Sequence, residues 1–185
     1  MSSEKVTHLL TRLNAKISNV QKIPGGGNVG VLSFEDICIG LAKIRNRAAS
    51  ELILAKWLGY DSQIVESELR DLLSLIAHKE KWNFQKEETI GRLAALAIDE
   101  EIVPRKCSKC VGRGSYIKQT LRVDCDKCDG KGVLKRNLSE KARYLGVTRS
   151  VFTKTWDKRH RRAGMILAEW ESLALRVLSD ALFRD

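Results

Sequence analysis

Four of the five cysteines in this chain occur as two copies of one short pattern. The first runs Cys107-Ser-Lys-Cys110-Val-Gly112-Arg-Gly114 and the second Cys125-Asp-Lys-Cys128-Asp-Gly130-Lys-Gly132. The two pairs are separated by 14 residues, close to the spacing of a four-thiolate structural zinc site. Each Cys-x-x-Cys suits a tight turn that presents both sulfurs to one metal. A glycine two residues after the second Cys permits positive φ, so the turn can fold back and aim backbone N–H groups at sulfur. Lys106, Lys109, Arg113, Lys127 and Lys131 surround the cysteines in sequence and offset the negative charge of four thiolates around Zn2+. Four protein sulfurs close the coordination shell, so the expected metal is structural and not catalytic. Disulfides or a redox dithiol are the alternatives; an intracellular chain argues against the first and the duplicated pattern against the second.

Little else in the sequence suggests bond-making chemistry. Cys38 lies in the apolar helical stretch Phe34-Glu-Asp-Ile-Cys-Ile-Gly-Leu41 and reads as a small core residue without a role. His8 and His78 have no metal-ligand spacing to anything nearby, and Gly25-Gly-Gly27 lacks the Gly-Lys-Ser/Thr that a P-loop requires. The chain is expected not to be an enzyme.

Charge is divided sharply. Residues 1–104 carry 13 Lys/Arg against 14 Asp/Glu, while residues 105–185 carry 20 against 9, a net of +11. That asymmetry points to a polyanionic partner for the C-terminal part, with double-stranded DNA the leading candidate over a merely solvated basic surface. At 43% apolar residues over 185, the chain can bury a core. No apolar run approaches the ~18 residues of a membrane span, and Met1–Lys5 does not open a secretory signal, so no membrane partner is expected and the location reads as cytoplasmic.

The fold class expected is mainly α: a helical bundle carrying a small four-cysteine zinc β-hairpin module and a helix-turn-helix. Val6, Leu9, Leu10, Leu13, Ile17 and Val20 recur at helical spacing, giving an N-terminal amphipathic helix over 1–24, before the flexible break Pro24-Gly-Gly-Gly-Asn28. A helical bundle comes next, over 25–103. In it, Ser33-Phe-Glu-Asp36 resembles a capping box opening a long helix that ends near Gly59, and Asp61-Ser62 can cap a third helix. A fourth runs from about Lys86 to Ile102, with Trp57 and Trp82 as packing anchors near helix ends. Pro104 opens the zinc ribbon, 104–135, in which Tyr116 to Val123 alternates loosely as a short hairpin would.

Residues 136–185 are expected to form the helix-turn-helix and a closing helix. Ala142 is the small residue at the helix crossing and Gly146 makes the turn. Leu145, Val147 and Phe152 pack beneath it, and Thr148 caps the second helix. This register leaves Arg149, Ser150, Thr153 and Lys154 on the outer face, where such a helix reaches base edges in the major groove, and Thr148 at its start is counted with them as a candidate DNA contact. Lys158, Arg159, Arg161 and Arg162 come after them, placed for phosphates, with His160 as one more polar surface residue. Lys141 and Thr155 depart from the pattern, since apolar residues usually sit there. From Ala163 to Leu182 an apolar stripe marks the closing helix, packed on the helix-turn-helix or on the N-terminal bundle. In another layout the helices flanking the ribbon pack on each other and the zinc hairpin projects from one helical core.

Two Cys-x-x-Cys-x-Gly-x-Gly knuckles, a helix containing Ser139 and Ala142, a second helix bearing Trp156 and a final amphipathic helix resemble the lambda-type phage antitermination protein Q family. The likeness runs from about Ala94 to the C-terminus. It implies a DNA-binding transcription factor of a phage or prophage, in a bacterial host, that recognises a site near the late-gene promoter. It further implies engagement of RNA polymerase with its sigma factor still bound, and then read-through of terminators. On this resemblance Cys107, Cys110, Cys125 and Cys128 hold Zn2+, and the helix around Arg149 to Lys158 faces DNA. A promoter repressor or activator that never joins the elongating polymerase is an alternative from the same class. The knuckle pattern also looks like the DnaJ-type cochaperone zinc module, although that module has four copies where two occur here, and the His-Pro-Asp signature of its accompanying J domain is absent.

Overall fold

The computed structural model describes residues 6–7, 10, 34–83, 88–102, 105–118 and 121–183. Most of the expected N-terminal helix, His8, the Pro24–Asn28 break, Ser33 and Pro104 lie outside them. The chain folds as two compact units, residues 1–72 with 165–185, and residues 73–164. This division cuts across the four segments read from the sequence. It also sorts the charge: residues 73–164 hold 22 Lys/Arg against 11 Asp/Glu, a net of +11, so the other unit is nearly neutral.

In the first unit, helices α1 (Phe34–Ala42) and α2 (Arg47–Leu58) replace the single long helix expected from Phe34 to Gly59. The reason is local. Lys43 and Ile44 donate their N–H groups three residues back, to Gly40 and Leu41, which tightens and ends α1. Asn46 then takes an extended backbone and accepts the Ala49 N–H at 3.1 Å, starting α2 afresh. Gly59 does end α2, in the left-handed conformation (φ 73°). Helix α3 (Gln63–Lys79) begins where Asp61 accepts the Gln63 N–H, as the sequence suggests. The core of this unit joins Val6, Leu10, Ile37, Leu41, Ile44, Ala49 and Ile53 to Ala174 and Leu178 from the C-terminal helix. Trp57 packs against it and donates to Glu171, which also pairs with Lys56 at 2.7 Å. Cys38 is exposed and not a core residue, because α1 turns Ile37 and Leu41 inward and leaves Cys38 and Ile39 outside.

The second unit is built on helix α4 (Glu88–Glu101), whose Ile90, Leu93, Ala94, Leu96, Ala97 and Ile98 are all buried. After α4 come four short strands: β1 (Arg105–Lys106), β2 (Ser115–Lys118), β3 (Leu121–Asp124) and β4 (Val133–Leu134). Strands β2 and β3 form the expected antiparallel hairpin, and β1 pairs with β4 to close its base. Helix α5 (Leu138–Leu145) opens with a complete capping box between Asn137 and Glu140 and ends at left-handed Gly146. Thr148 caps α6 (Arg149–Val151), which runs on through a π turn (Phe152–Trp156) into α7 (Asp157–Phe183) without interruption. The expected second and closing helices are thus one. Gly164 does not break it, since solitary glycines cost a packed helix only about 1 kcal/mol.

Within this unit α5 packs on α4, and ion pairs stitch the return from the ribbon. Arg136 pairs with Asp99, and Lys141 with Glu100 at 2.8 Å. Lys141, which departs from the apolar pattern, is therefore mostly buried by its partner and not misplaced. Phe152 and Trp156, the first and last residues of the π turn, are both buried, worth roughly 2–3 kcal/mol each.

Candidate metal centre and basic helix

The ribbon brings Cys107, Cys110, Cys125 and Cys128 together with all four side chains buried and their sulfurs within 4.8 Å of one another. Cys107 and Cys125 sulfurs lie 3.8 Å apart, and Cys110 and Cys128 sulfurs 3.7 Å. These separations exceed a disulfide bond and match the edge of a tetrahedron with metal–sulfur bonds of about 2.3 Å, roughly 3.8 Å. The four thiols can therefore hold one metal ion, and the geometry suits zinc.

The duplicated sequence produces a duplicated hydrogen-bond pattern. Gly114 N–H donates to Cys110 Sγ and Gly132 N–H to Cys128 Sγ, both at 3.2 Å. The Cys107 N–H donates to Gly132 O and the Cys125 N–H to Gly114 O, so each knuckle is tied to the other. The first glycine of each repeat has the positive φ expected of it, and the N–H groups that reach sulfur are those of the second. Each knuckle also places two consecutive residues in the left-handed region, Val111–Gly112 and Asp129–Gly130. Val111 and Asp129 could not be picked out from residue type, because neither is glycine.

Glycine is obligatory at two places. A Cβ on Gly114 would press on the Gly130 carbonyl, and one on Gly132 on the Gly112 carbonyl, each well inside 3.0 Å. The thiols differ in acidity: N–H groups of Cys110 and Lys109 bring Cys107 down to about 7, while burial pushes Cys128 up to about 12. A cation at the centre would stabilise all four as thiolates. Lys109 pairs with Asp126 and lies over the Tyr116 ring at 4.9 Å, and Tyr116 in turn packs against the cysteines.

No family model and no curated protein matches this chain.

The basic residues singled out after Gly146 divide into three groups. Arg149, Ser150, Lys154 and Lys158 are exposed, and the three cations have no ion pair among the described residues. Thr148 and Thr153 are exposed but serve the backbone: Thr148 Oγ1 accepts the Val151 N–H at 3.3 Å, and Thr153 Oγ1 donates to Arg149 O at 2.9 Å. Arg161 pairs with Asp157 at 2.7 Å and Arg162 with Glu80.

Two residues behave differently from expectation. Arg159 is half-buried between the rings of Trp82 and Trp156, 4.5 and 4.6 Å from their centroids. Those indoles meet edge to face at 84°, and Trp82 donates to Glu80, so Arg159 closes the joint between the end of α3 and α7. His160 is buried and not on the surface, its Nε2 3.3 Å from Glu100 Oε2. The spacing Phe152, Trp156, His160 puts all three on the inward face. Burial alone would raise the Glu100 carboxyl; His160 and Lys141 outweigh it and hold it down at about 2. The only sequence signal for this triad is that Lys141 interrupts an apolar pattern.

Proposed function

We propose that this chain is a zinc-stabilised, sequence-specific DNA-binding regulator of transcription. Within that class we read it as a phage or prophage late-gene antiterminator that acts on RNA polymerase. The observation that carries the DNA-binding reading is the short α5–Gly146–Thr148–α6 connection, leading into Arg149, Ser150, Lys154 and Lys158, exposed in a unit of net charge +11. This arrangement suits a helix-turn-helix. Arg149, Ser150 and Lys154 lie at the start of the second helix, from which base edges are reached, and Lys158 lies one to two turns on, near phosphates. Thr148 and Thr153 hold the helix start in shape, and Arg159 is held against Trp82 and Trp156.

Zinc is the metal assigned to the four cysteines. It supplies folding free energy, about 10–16 kcal/mol in comparable small sites, and no reactive centre. The chain's own part is to gather the sulfurs through the two reciprocal glycine contacts. The antitermination reading rests on the order of knuckles, Ser139, Ala142, Trp156 and final helix, through the family likeness.

The test has two stages. Arg149→Ala and Lys154→Ala should weaken binding to a selected duplex, and loss of a base-reading side chain should relax its specificity by ~1–3 kcal/mol at that base pair. Affinity and site choice unchanged in both variants would refute the helix assignment. A template carrying the selected site upstream of a terminator should then show increased read-through by bacterial RNA polymerase. Site-specific binding without read-through would leave a repressor or activator in its place.

A further inference from the structure

The contact that locks the two knuckles together also arranges charge. Gly112-Arg113-Gly114 abuts Gly130-Lys131-Gly132, with each turn's second glycine against the other turn's first-glycine carbonyl. Arg113 and Lys131 are the residues between those glycines, so the two cations stand at equivalent points of abutting turns. Both are exposed, and neither has an ion pair among the described residues.

The hairpin beyond the knuckles continues the theme. Ile117 pairs with Arg122 and Lys118 with Leu121 across β2 and β3. Cross-strand partners share a face, so at the tip of the arm Ile117 stands beside Arg122 on one side and Leu121 beside Lys118 on the other. Ile117 is 78% exposed and Leu121 70% exposed. Residues 105–135 as a whole carry nine Lys/Arg against three Asp.

Aliphatic groups set beside cations suit a surface of alternating charge and hydrocarbon. The sugar-phosphate backbone of duplex DNA is such a surface: basic side chains take its phosphates, and the sugars between them offer hydrocarbon. An acidic protein surface would match the cations equally but would not call for a paired aliphatic residue on both faces of a narrow arm. We propose that the zinc hairpin is a second DNA-contacting arm. In it the two-stranded arm lies in a groove, Arg113, Lys131 and Lys118 take backbone phosphates, and Ile117 and Leu121, on opposite faces, lie against the sugars of the two walls. This rests on the reading of the chain as a DNA-binding protein and adds to it a sequence-independent contact outside the helix at Arg149–Lys158.

The full-length, zinc-loaded chain serves for the test, on a duplex chosen by wild-type selection, with affinity measured from low to moderate salt. The triple variant Arg113→Gln, Lys118→Gln, Lys131→Gln should flatten the plot of log affinity against log salt by about 2–3 units while preserving site preference. Ile117→Ser with Leu121→Ser should weaken binding several-fold with the salt slope intact. Should the triple variant lose zinc, Lys118→Gln alone carries the test, with an expected flattening of about 1 unit. An unchanged slope in a variant that keeps its zinc overturns the arm. So does a variant that binds DNA normally but no longer retains RNA polymerase, which would make the hairpin a protein contact. A wild-type chain that selects no duplex refutes the underlying DNA-binding reading instead, a distinct result.

Discussion

Replacing Gly114 by alanine separates two costs that usually travel together. Gly112 and Gly114 lie two residues apart in one knuckle, both at positive φ, 84° and 74°. A Cβ on Gly112 meets the methylenes of Lys106 at 3.6 Å, an ordinary contact, whereas on Gly114 it would meet the Gly130 carbonyl well inside 3.0 Å. Gly112→Ala should therefore cost only the left-handed backbone term, about 1–2 kcal/mol. Gly114→Ala adds an overpacking cost of about 1–3 kcal/mol, because the obstructing atoms are backbone that cannot rotate aside. Their sum, about 2–5 kcal/mol, corresponds to zinc binding weaker by roughly thirty-fold to several thousand-fold, against roughly five- to thirty-fold for Gly112→Ala. Competition with a chromophoric chelator measures both constants, and circular dichroism tracks the ribbon. Equal affinities for the two variants would refute the claim that the knuckles are held together by direct glycine contact.

Chelation of the metal should unfold the ribbon and lower DNA affinity, readable by circular dichroism and by binding to a selected duplex; unchanged values in both would remove zinc from the account. Acid should act through Glu100. Its carboxyl is held at about 2, below its ordinary 4.5, so its contribution is fully present above about pH 4.5 and is lost as pH falls through 2. Discounted for partial exposure this is about 1–2 kcal/mol, and Glu100→Gln should flatten the acid limb of a denaturation series by that amount. Trp82→Ala should release Arg159 from its contact with the two indoles, lowering the melting temperature and raising salt-sensitive, non-specific DNA affinity; an unchanged salt slope would mean that Arg159 stays inward.

How legible each feature was in the sequence depends on how local its cause is. The four cysteines and the hairpin are set by short spacings and fixed turns, so the pattern carries them almost whole. The caps at Asn46, Asn137 and Thr148 are equally local, although Asn46 is easily missed because Ala42 to Ala55 otherwise reads as one helix. The continuity of the helix past Ala163 depends on packing that outweighs one glycine. The inward turn of Arg159 and His160 depends on Trp82 and Glu100, far away in the chain, and no spacing rule reveals it. A run of Lys158-Arg-His-Arg-Arg162 looks uniformly basic as text; folded, only Lys158 of the five is an exposed cation without an ion pair among the described residues.

The central claim is that the helix beginning at Arg149 reads DNA sequence. Selection from a pool of sheared phage and host DNA, with the wild type and Lys154→Ala in parallel over a salt series, tests it most directly. The account predicts one promoter-proximal segment enriched by the wild type and persisting at moderate salt, with enrichment reduced or broadened for Lys154→Ala. Retention of all fragments alike, falling steeply with salt and identical for the two proteins, would contradict it.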